Sequence, residues 1–109
     1  MTTQDFAKQL GFKVLCMPEP DREIDGVYIG DLLSWVMGKA QSGNVWITIM
    51  SNINIVAVAS LTDVSLILLS ENVEPDADAL NTARQKGINI LSTDLSSYEA
   101  ATKIAGIIS

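Results

Sequence analysis

The sequence predicts an α/β fold: a mostly parallel β-sheet with helices packed on it, running in β-α-β-α-β-α order through the second half of the chain. Three observations predict it. "VWITIM" and "VSLILL" are short runs rich in β-branched residues and apolar on both faces, the pattern of strands covered by helices on each side. The intervening "SNINIVAVASLTD" has the length of a crossover between parallel strands. The clearest helix signals of the chain, in "PDADALNTARQKG", fall between the second apolar run and a third, "INIL".

Taken in order, "TTQDFAKQLG" reads as a short helix, with Thr2 or Thr3 as N-cap, Phe6 and Leu10 four apart on one face, and Gly11 as the stop. "FKVLC" reads as a strand. An acidic loop follows, then "IDGVYIG" as a short strand or turn, and "DLLSWVMGKA" as a helix with Asp31 at its positive end and Gly38 near its close. "SNINIVAVASLTD" carries β-forming Ile53, Ile55, Val56 and Val58, yet topology makes it a buried helix. Ser51 or Asn52 supplies the N-cap, and Ala57 and Ala59 allow close approach to the sheet. In "PDADALNTARQKG", Pro75 opens the helix, Asp76 and Asp78 sit in the first turn, Arg84 and Lys86 in the last, and Gly87 ends it. "SSYEAATKIAGII" closes the chain as a helix, with Ser96 and Glu99 spaced as a capping box and Tyr98, Ala101, Ile104 and Ile108 along one face.

At 109 residues the chain is read as one domain, residues 1–109, sized as a module or subunit. Apolar residues make up 48% and charged residues 18%, ordinary globular composition with no stretch able to span a bilayer, and no secretory signal opens "MTTQDFAKQLGF". The expectation is a cytoplasmic protein off the membrane. One cysteine, Cys16, and no histidine exclude disulfides and the usual ligands of zinc, haem and iron–sulfur centres, together with serine–histidine and cysteine–histidine catalysis. A net charge of −6 repels a phosphate backbone, so nucleic acid is not the expected partner.

The acidic loop poses the sharpest question. Asp21, Glu23, Asp25 and Gly26 match the opening of a calcium loop, but its twelfth position, where a bidentate glutamate belongs, is Leu32. The loop is therefore read as a solvated acidic turn, and no metal or other cofactor is expected. Gly38-Lys39 is followed by Ala40 and lacks the upstream glycine of a phosphate-binding loop, so no kinase-type site exists. Paired carboxylates could serve acid–base chemistry, but nothing marks one of these acids as buried or tuned.

A quieter constellation lies at the strand ends: Ser51 and Asn52, then Ser70, Glu71 and Asn72, then Ser92, Thr93 and Asp94. In open parallel sheets ligands bind beyond the carboxyl ends of the strands, where small polar side chains offer donors. The plainer reading makes these residues helix caps. Trp35, Val36 and Met37 form an apolar run too wide for one helix face, so Trp35 and Met37 are candidate interface residues, with core packing as the alternative. Cys16, in an apolar strand without a basic neighbour in sequence, reads as an inert buried thiol.

Asp21-Arg22, "GVYIGDLLSWVM", "WITI", "NIVAVA" and "ILSTDLSSYEAA" together resemble the DRTGG domain family over nearly the whole chain. The Asp-Arg-Thr-Gly-Gly motif is reduced to Asp21, Arg22 and a displaced Gly26, while Gly30-Asp31-Leu32-Leu33 is better kept. The resemblance implies a fold like the N-terminal domains of HPr kinase/phosphorylase and Mur ligases, without kinase activity, because the phosphate loop of those kinases lies in another domain. It implies a non-enzymatic regulatory or sensory module, a homodimer, that binds a small ligand such as a nucleotide at the carboxyl edge of its sheet. The residues expected there are Ser51, Asn52, Ser92, Thr93 and Asp94, with Arg22 and Asp31 from the signature loop. The alternative is a protein-interaction adapter docking on a larger metabolic or hydrogenase-type redox enzyme through Trp35 or the acidic loop; a small acid–base enzyme is the remaining reading.

Overall fold

The computed structural model describes residues 1–108. The elements are α1 (Thr3–Leu10), β1 (Lys13–Cys16), β2 (Val27–Ile29), α2 (Leu33–Lys39), β3 (Val45–Thr48), α3 (Asn54–Thr62), β4 (Leu66–Leu69), α4 (Ala77–Lys86), β5 (Ile90–Ser92) and α5 (Ser97–Ala105). From β3 onward the alternation is the expected one. The sheet runs in the order β1-β5-β4-β3-β2; β2 to β5 are parallel neighbours and β1 lies antiparallel against β5. The architecture is α/β with a mostly parallel sheet, as the sequence predicts, and the antiparallel member is an added edge strand.

Strand alternation sorts the core onto two faces. Trp46, Ile67, Leu69 and Ile90 point to one face and pack with Val36 of α2, Ile55, Val56, Val58 and Ala59 of α3, and Ala79 and Ala83 of α4. Val45, Ile47, Leu66, Leu68 and Leu91 point to the other and pack with Phe6, Ala7 and Leu10 of α1 and Ala100 and Ile104 of α5. β3 and β4 are buried at every position, which is why neither shows a polar–apolar alternation. No helix among the described residues is long and apolar enough to cross a membrane.

The caps follow the sequence where the side chain can reach the backbone. Thr2 accepts from Asp5 N at 3.2 Å, and Ser96 and Glu99 close a reciprocal capping box at the start of α5. Four details differ. Asp31 sits before α2 but caps nothing there: Leu32 is the N-cap residue, and the Asp31 carboxylate bonds the end of β3 instead. α3 begins at Asn54 behind Ile53, and Asn52 folds back on itself, its Oδ1 accepting from Asn54 N at 2.9 Å. Ala59 is buried against the sheet while Ala57, two positions earlier, turns outward as helix geometry requires. On α5 the buried stripe is Ala100 and Ile104, leaving Tyr98 77% exposed.

Topology gives the acidic loop its task. β1 and β2 are the two edge strands, and the end of β1 and the start of β2 both lie at the amino edge of the sheet. Segment 17–26 must therefore cross the full width of the sheet, about 19 Å for four strand spacings. It is gripped ahead of each central strand on the way. Before β5, Asn89, 1% exposed, accepts from Glu19 N at 2.9 Å and donates to Glu19 O at 2.7 Å and Ser65 O at 3.0 Å. Before β4, Ser65 Oγ donates to Glu23 O. Before β3, Asn44 Nδ2 donates to Asp25 O at 2.7 Å and Asp25 N donates to Gly43 O at 2.8 Å. Gly26 (φ 79°) and Gly43 (φ 86°) hold left-handed backbone here, and a Cβ on Gly26 would stand 2.9 Å from Asn44 Nδ2.

Candidate ligand site at the carboxyl edge of the sheet

The opposite edge collects the ends of the parallel strands and, because β1 is antiparallel, the start of β1 as well. Beyond β4 the chain makes a tight turn from Ser70 to Val73, closed by Val73 N to Ser70 O at 3.2 Å, with Glu71 (φ 59°) and Asn72 (φ 57°) both left-handed. Side chains other than glycine rarely adopt that conformation, and here neighbouring carbonyls hold it. Glu71 N donates to Leu95 O and Asn72 N to Thr93 O, each at 2.8 Å. Thr93 N donates to Leu69 O at 2.9 Å, and the Ser70 and Ser97 hydroxyls meet at 2.8 Å. The ends of β4 and β5 are thus laced into one rigid rim.

Lys13 is the partner of Ser92 in the antiparallel register, so the first residue of β1 stands beside the last of β5. Two adjoining depressions result. One, of about 270 Å³, is lined by Gly11, Lys13, Asn72, Ser92, Thr93 and Asp94. The other, of about 170 Å³, shares Lys13, Asn72 and Ser92 and continues to Glu74 and Leu80. Together they offer one ammonium, two exposed carboxylates at Glu74 and Asp94, and hydroxyl and amide groups on a fixed backbone. A cation beside neutral donors suits a phosphate or carboxylate, and an acceptor such as Asp94 suits a sugar hydroxyl.

The expected residues separate. Ser92, Thr93 and Asp94 come together in this depression. Ser51 and Asn52 are at the same edge of the sheet but on the other flank of the β4–α4 loop, where Ser51 O accepts from Asp76 N at 2.9 Å. Asp31 lies beyond β2, its Oδ1 accepting from Thr48 Oγ1 at 2.8 Å and from Ile49 N at 3.0 Å. Arg22 is at the amino edge, bonded to Asp63. Trp35 is 62% exposed and Met37 49%, both on α2, whose Val36 between them is buried. Sequence reasoning missed Lys13, because nothing local tells that its strand runs antiparallel beside β5.

Elsewhere, burial pushes the Cys16 thiol above its usual range, and its Sγ donates to Ile88 O at 3.3 Å. Among the described residues no group of three or more acidic or thiol side chains is placed to hold a metal ion.

The profile of the DRTGG domain family matches residues 5–107. A similar solved structure is that of the CBS and DRTGG domains of the regulatory region of Clostridium perfringens pyrophosphatase, complexed with its activator diadenosine tetraphosphate. It superposes with a TM-score of 0.72 at 17% sequence identity, over 92% of this chain and 44% of that one. That likeness is one of fold, and this chain spans less than half of the neighbour's length. No curated protein matches the chain.

Proposed function

The chain belongs to the DRTGG domain family, and from that premise we propose that it is a non-enzymatic regulatory module of the cytoplasm that binds a phosphate-bearing small ligand, a nucleotide by preference, at the carboxyl edge of its sheet. The observation that carries this reading is the pairing of Lys13 with Ser92, which brings Lys13 into one depression with Asn72, Thr93 and Asp94 at the place where open parallel sheets take ligands. The regulatory region of the similar pyrophosphatase is complexed with a nucleotide activator, which supports the choice of ligand class. In this reading Lys13 meets phosphate, Asp94 accepts from a ribose hydroxyl, and Ser92 and Asn72 fix orientation. The test is thermal stability across a panel of nucleotides and sugar phosphates, since a ligand that binds only the folded state raises its melting temperature. No shift with any of them at millimolar concentration, for a chain whose fold is intact by circular dichroism, removes the proposal.

A second reading, a protein-interaction surface that makes a homodimer or docks on a partner enzyme, is favoured by one observation. Leu32, Trp35 and Met37 are 62%, 62% and 49% exposed on and beside a single short helix. Regulatory modules commonly need both a ligand site and a surface that passes the signal on, so the two readings are compatible.

A further inference from the structure

We propose that the free edge of β2 is a docking site for an extended peptide segment with an apolar centre and basic ends, which adds to the sheet as a sixth strand. The main-chain pattern shows the edge is open. Gly26 O accepts from Val45 N at 3.0 Å and Gly30 N donates to Ile47 O at 3.1 Å, so Gly26, Tyr28 and Gly30 face β3 while Val27 and Ile29 turn their N–H and C=O groups outward.

The two edges of the sheet are treated differently by the sequence. β1 begins with Lys13, slips register between Val14 and Cys16, and is followed by Pro18 and Pro20, all features that discourage another strand. β2 reads Val-Tyr-Ile between two glycines and has none of them. Beside it an apolar groove of about 340 Å³ is lined by Gly26, Val27, Ile29, Ala101, Ala105 and Ile108. It exists because α1 and α5 cover only part of their face of the sheet, and the small Ala101 and Ala105 leave room over β2. An added strand would drop alternate apolar side chains into this groove and pair its backbone with Val27 and Ile29.

Charge selects the occupant. The uncharged edge is flanked by Asp25 and Asp31, both exposed, on a chain of net charge −6. A second copy paired two-fold through both outward residues sets each Asp25 against the other copy's Asp31, which is repulsive. A segment with Lys or Arg at its ends meets both acids favourably. This proposal is independent of the ligand site, which lies at the far side of the sheet on β5 and β1.

The test is an NMR titration of the full chain with acetyl-Lys-Val-Thr-Val-Thr-Val-Lys-amide and with its counterpart carrying Glu at both ends. The lysine peptide is expected to shift the amides of Val27, Ile29, Ala101 and Ala105 and to bind about fivefold tighter than the glutamate peptide, as two exposed ion pairs allow. Asp25→Lys, which replaces a carboxylate that makes no hydrogen bond and leaves the Asp25 carbonyl to Asn44, should shrink that preference, and Ile29→Pro, which deletes an outward donor and leaves the β3 ladder intact, should abolish binding. Equal binding of the two peptides, or shifts confined to other surfaces, overturns the proposal. So does a monomer–dimer equilibrium in sedimentation that Ile29→Pro removes, because the occupant is then a second copy.

Discussion

Arg22 reaches Asp63 twice: Nη1 donates to the Asp63 carboxylate at 2.9 Å and Nη2 to the Asp63 carbonyl oxygen at 2.7 Å. Asp63 is the left-handed residue (φ 61°) that ends α3, and Ser42 Oγ donates to its other carboxylate oxygen at 2.6 Å. The signature arginine therefore ties the loop that crosses the amino edge to the turn entering β4. Because the pair is substantially exposed, Arg22→Ala should cost only about 1 kcal/mol in urea unfolding. Arg22→Lys should restore little, since an ammonium cannot serve both acceptors from one planar fork. A loss of ligand-induced stabilisation in Arg22→Ala, with unfolding unchanged, would contradict the structural role.

The same contact has a pH signature. Hydrogen bonds from Ser42, then Arg22, hold the Asp63 carboxyl below its usual range. A depressed folded value means that the contribution is fully present above the unfolded aspartate pKa, about 3.9, and is lost as pH falls through the lower folded value. Acid unfolding of Arg22→Ala should therefore show a smaller loss of stability below pH about 4 than the parent chain. Parallel acid limbs in the two proteins would show that the contact carries no linked proton.

Asp31 also works inside the fold. Its carboxylate receives Thr48 Oγ1 and Ile49 N, and Thr48 is fully buried. Asp31→Ala leaves the Thr48 hydroxyl proton and Ile49 N without their acceptor and should cost about 2 kcal/mol, while Asp31→Asn keeps an accepting oxygen and should cost about half as much. Equal costs for the two variants would rule out the carboxylate as the acceptor that matters.

How much of this was legible depended on the range of the interaction. Elements ordered by nearby residues were readable: Gly11 and Gly87 end helices in the left-handed conformation, and Ser96 with Glu99 builds a capping box, all within one turn of chain. The buried run through Ile55 and Val56 reads as a helix from the topology, against its propensity, and is one. Asn89 was not legible, since a polar residue inside "INIL" shows no sign that its amide will seize Glu19 seventy positions earlier. Lys13 and Arg22 illustrate the same limit: which edge of the sheet a residue reaches is decided by strand direction, and β1 has no local mark of being antiparallel.

Exposure of Trp35 separates interface from core. At 62% exposed, with Lys39 Nζ 5.8 Å from its ring, Trp35 contributes little to the monomer, so Trp35→Ala should change unfolding by less than about 0.5 kcal/mol. If α2 is an association surface, the same substitution should shift the sedimentation profile toward monomer or release a bound partner enzyme. A destabilisation of several kcal/mol would instead assign Trp35 to the core, and unchanged association would move the interface elsewhere.

The ligand site gives the most discriminating comparison, because the strand-end residues fall on two flanks of one loop. A nucleotide at a hundredfold excess over its dissociation constant should raise the melting temperature by about 10 °C. Lys13→Ala removes the cation beside Ser92 and should weaken binding about tenfold or more, the worth of a charge-assisted hydrogen bond. Asp94→Ala should weaken a nucleoside phosphate but spare inorganic phosphate, because the carboxylate is assigned to a sugar hydroxyl. Ser51→Ala and Asn52→Ala, across the loop that Asp76 ties to Ser51, should leave binding unchanged. If these last two abolish the thermal shift while Lys13→Ala keeps it, the ligand sits on the β3 flank and the Lys13 site is refuted.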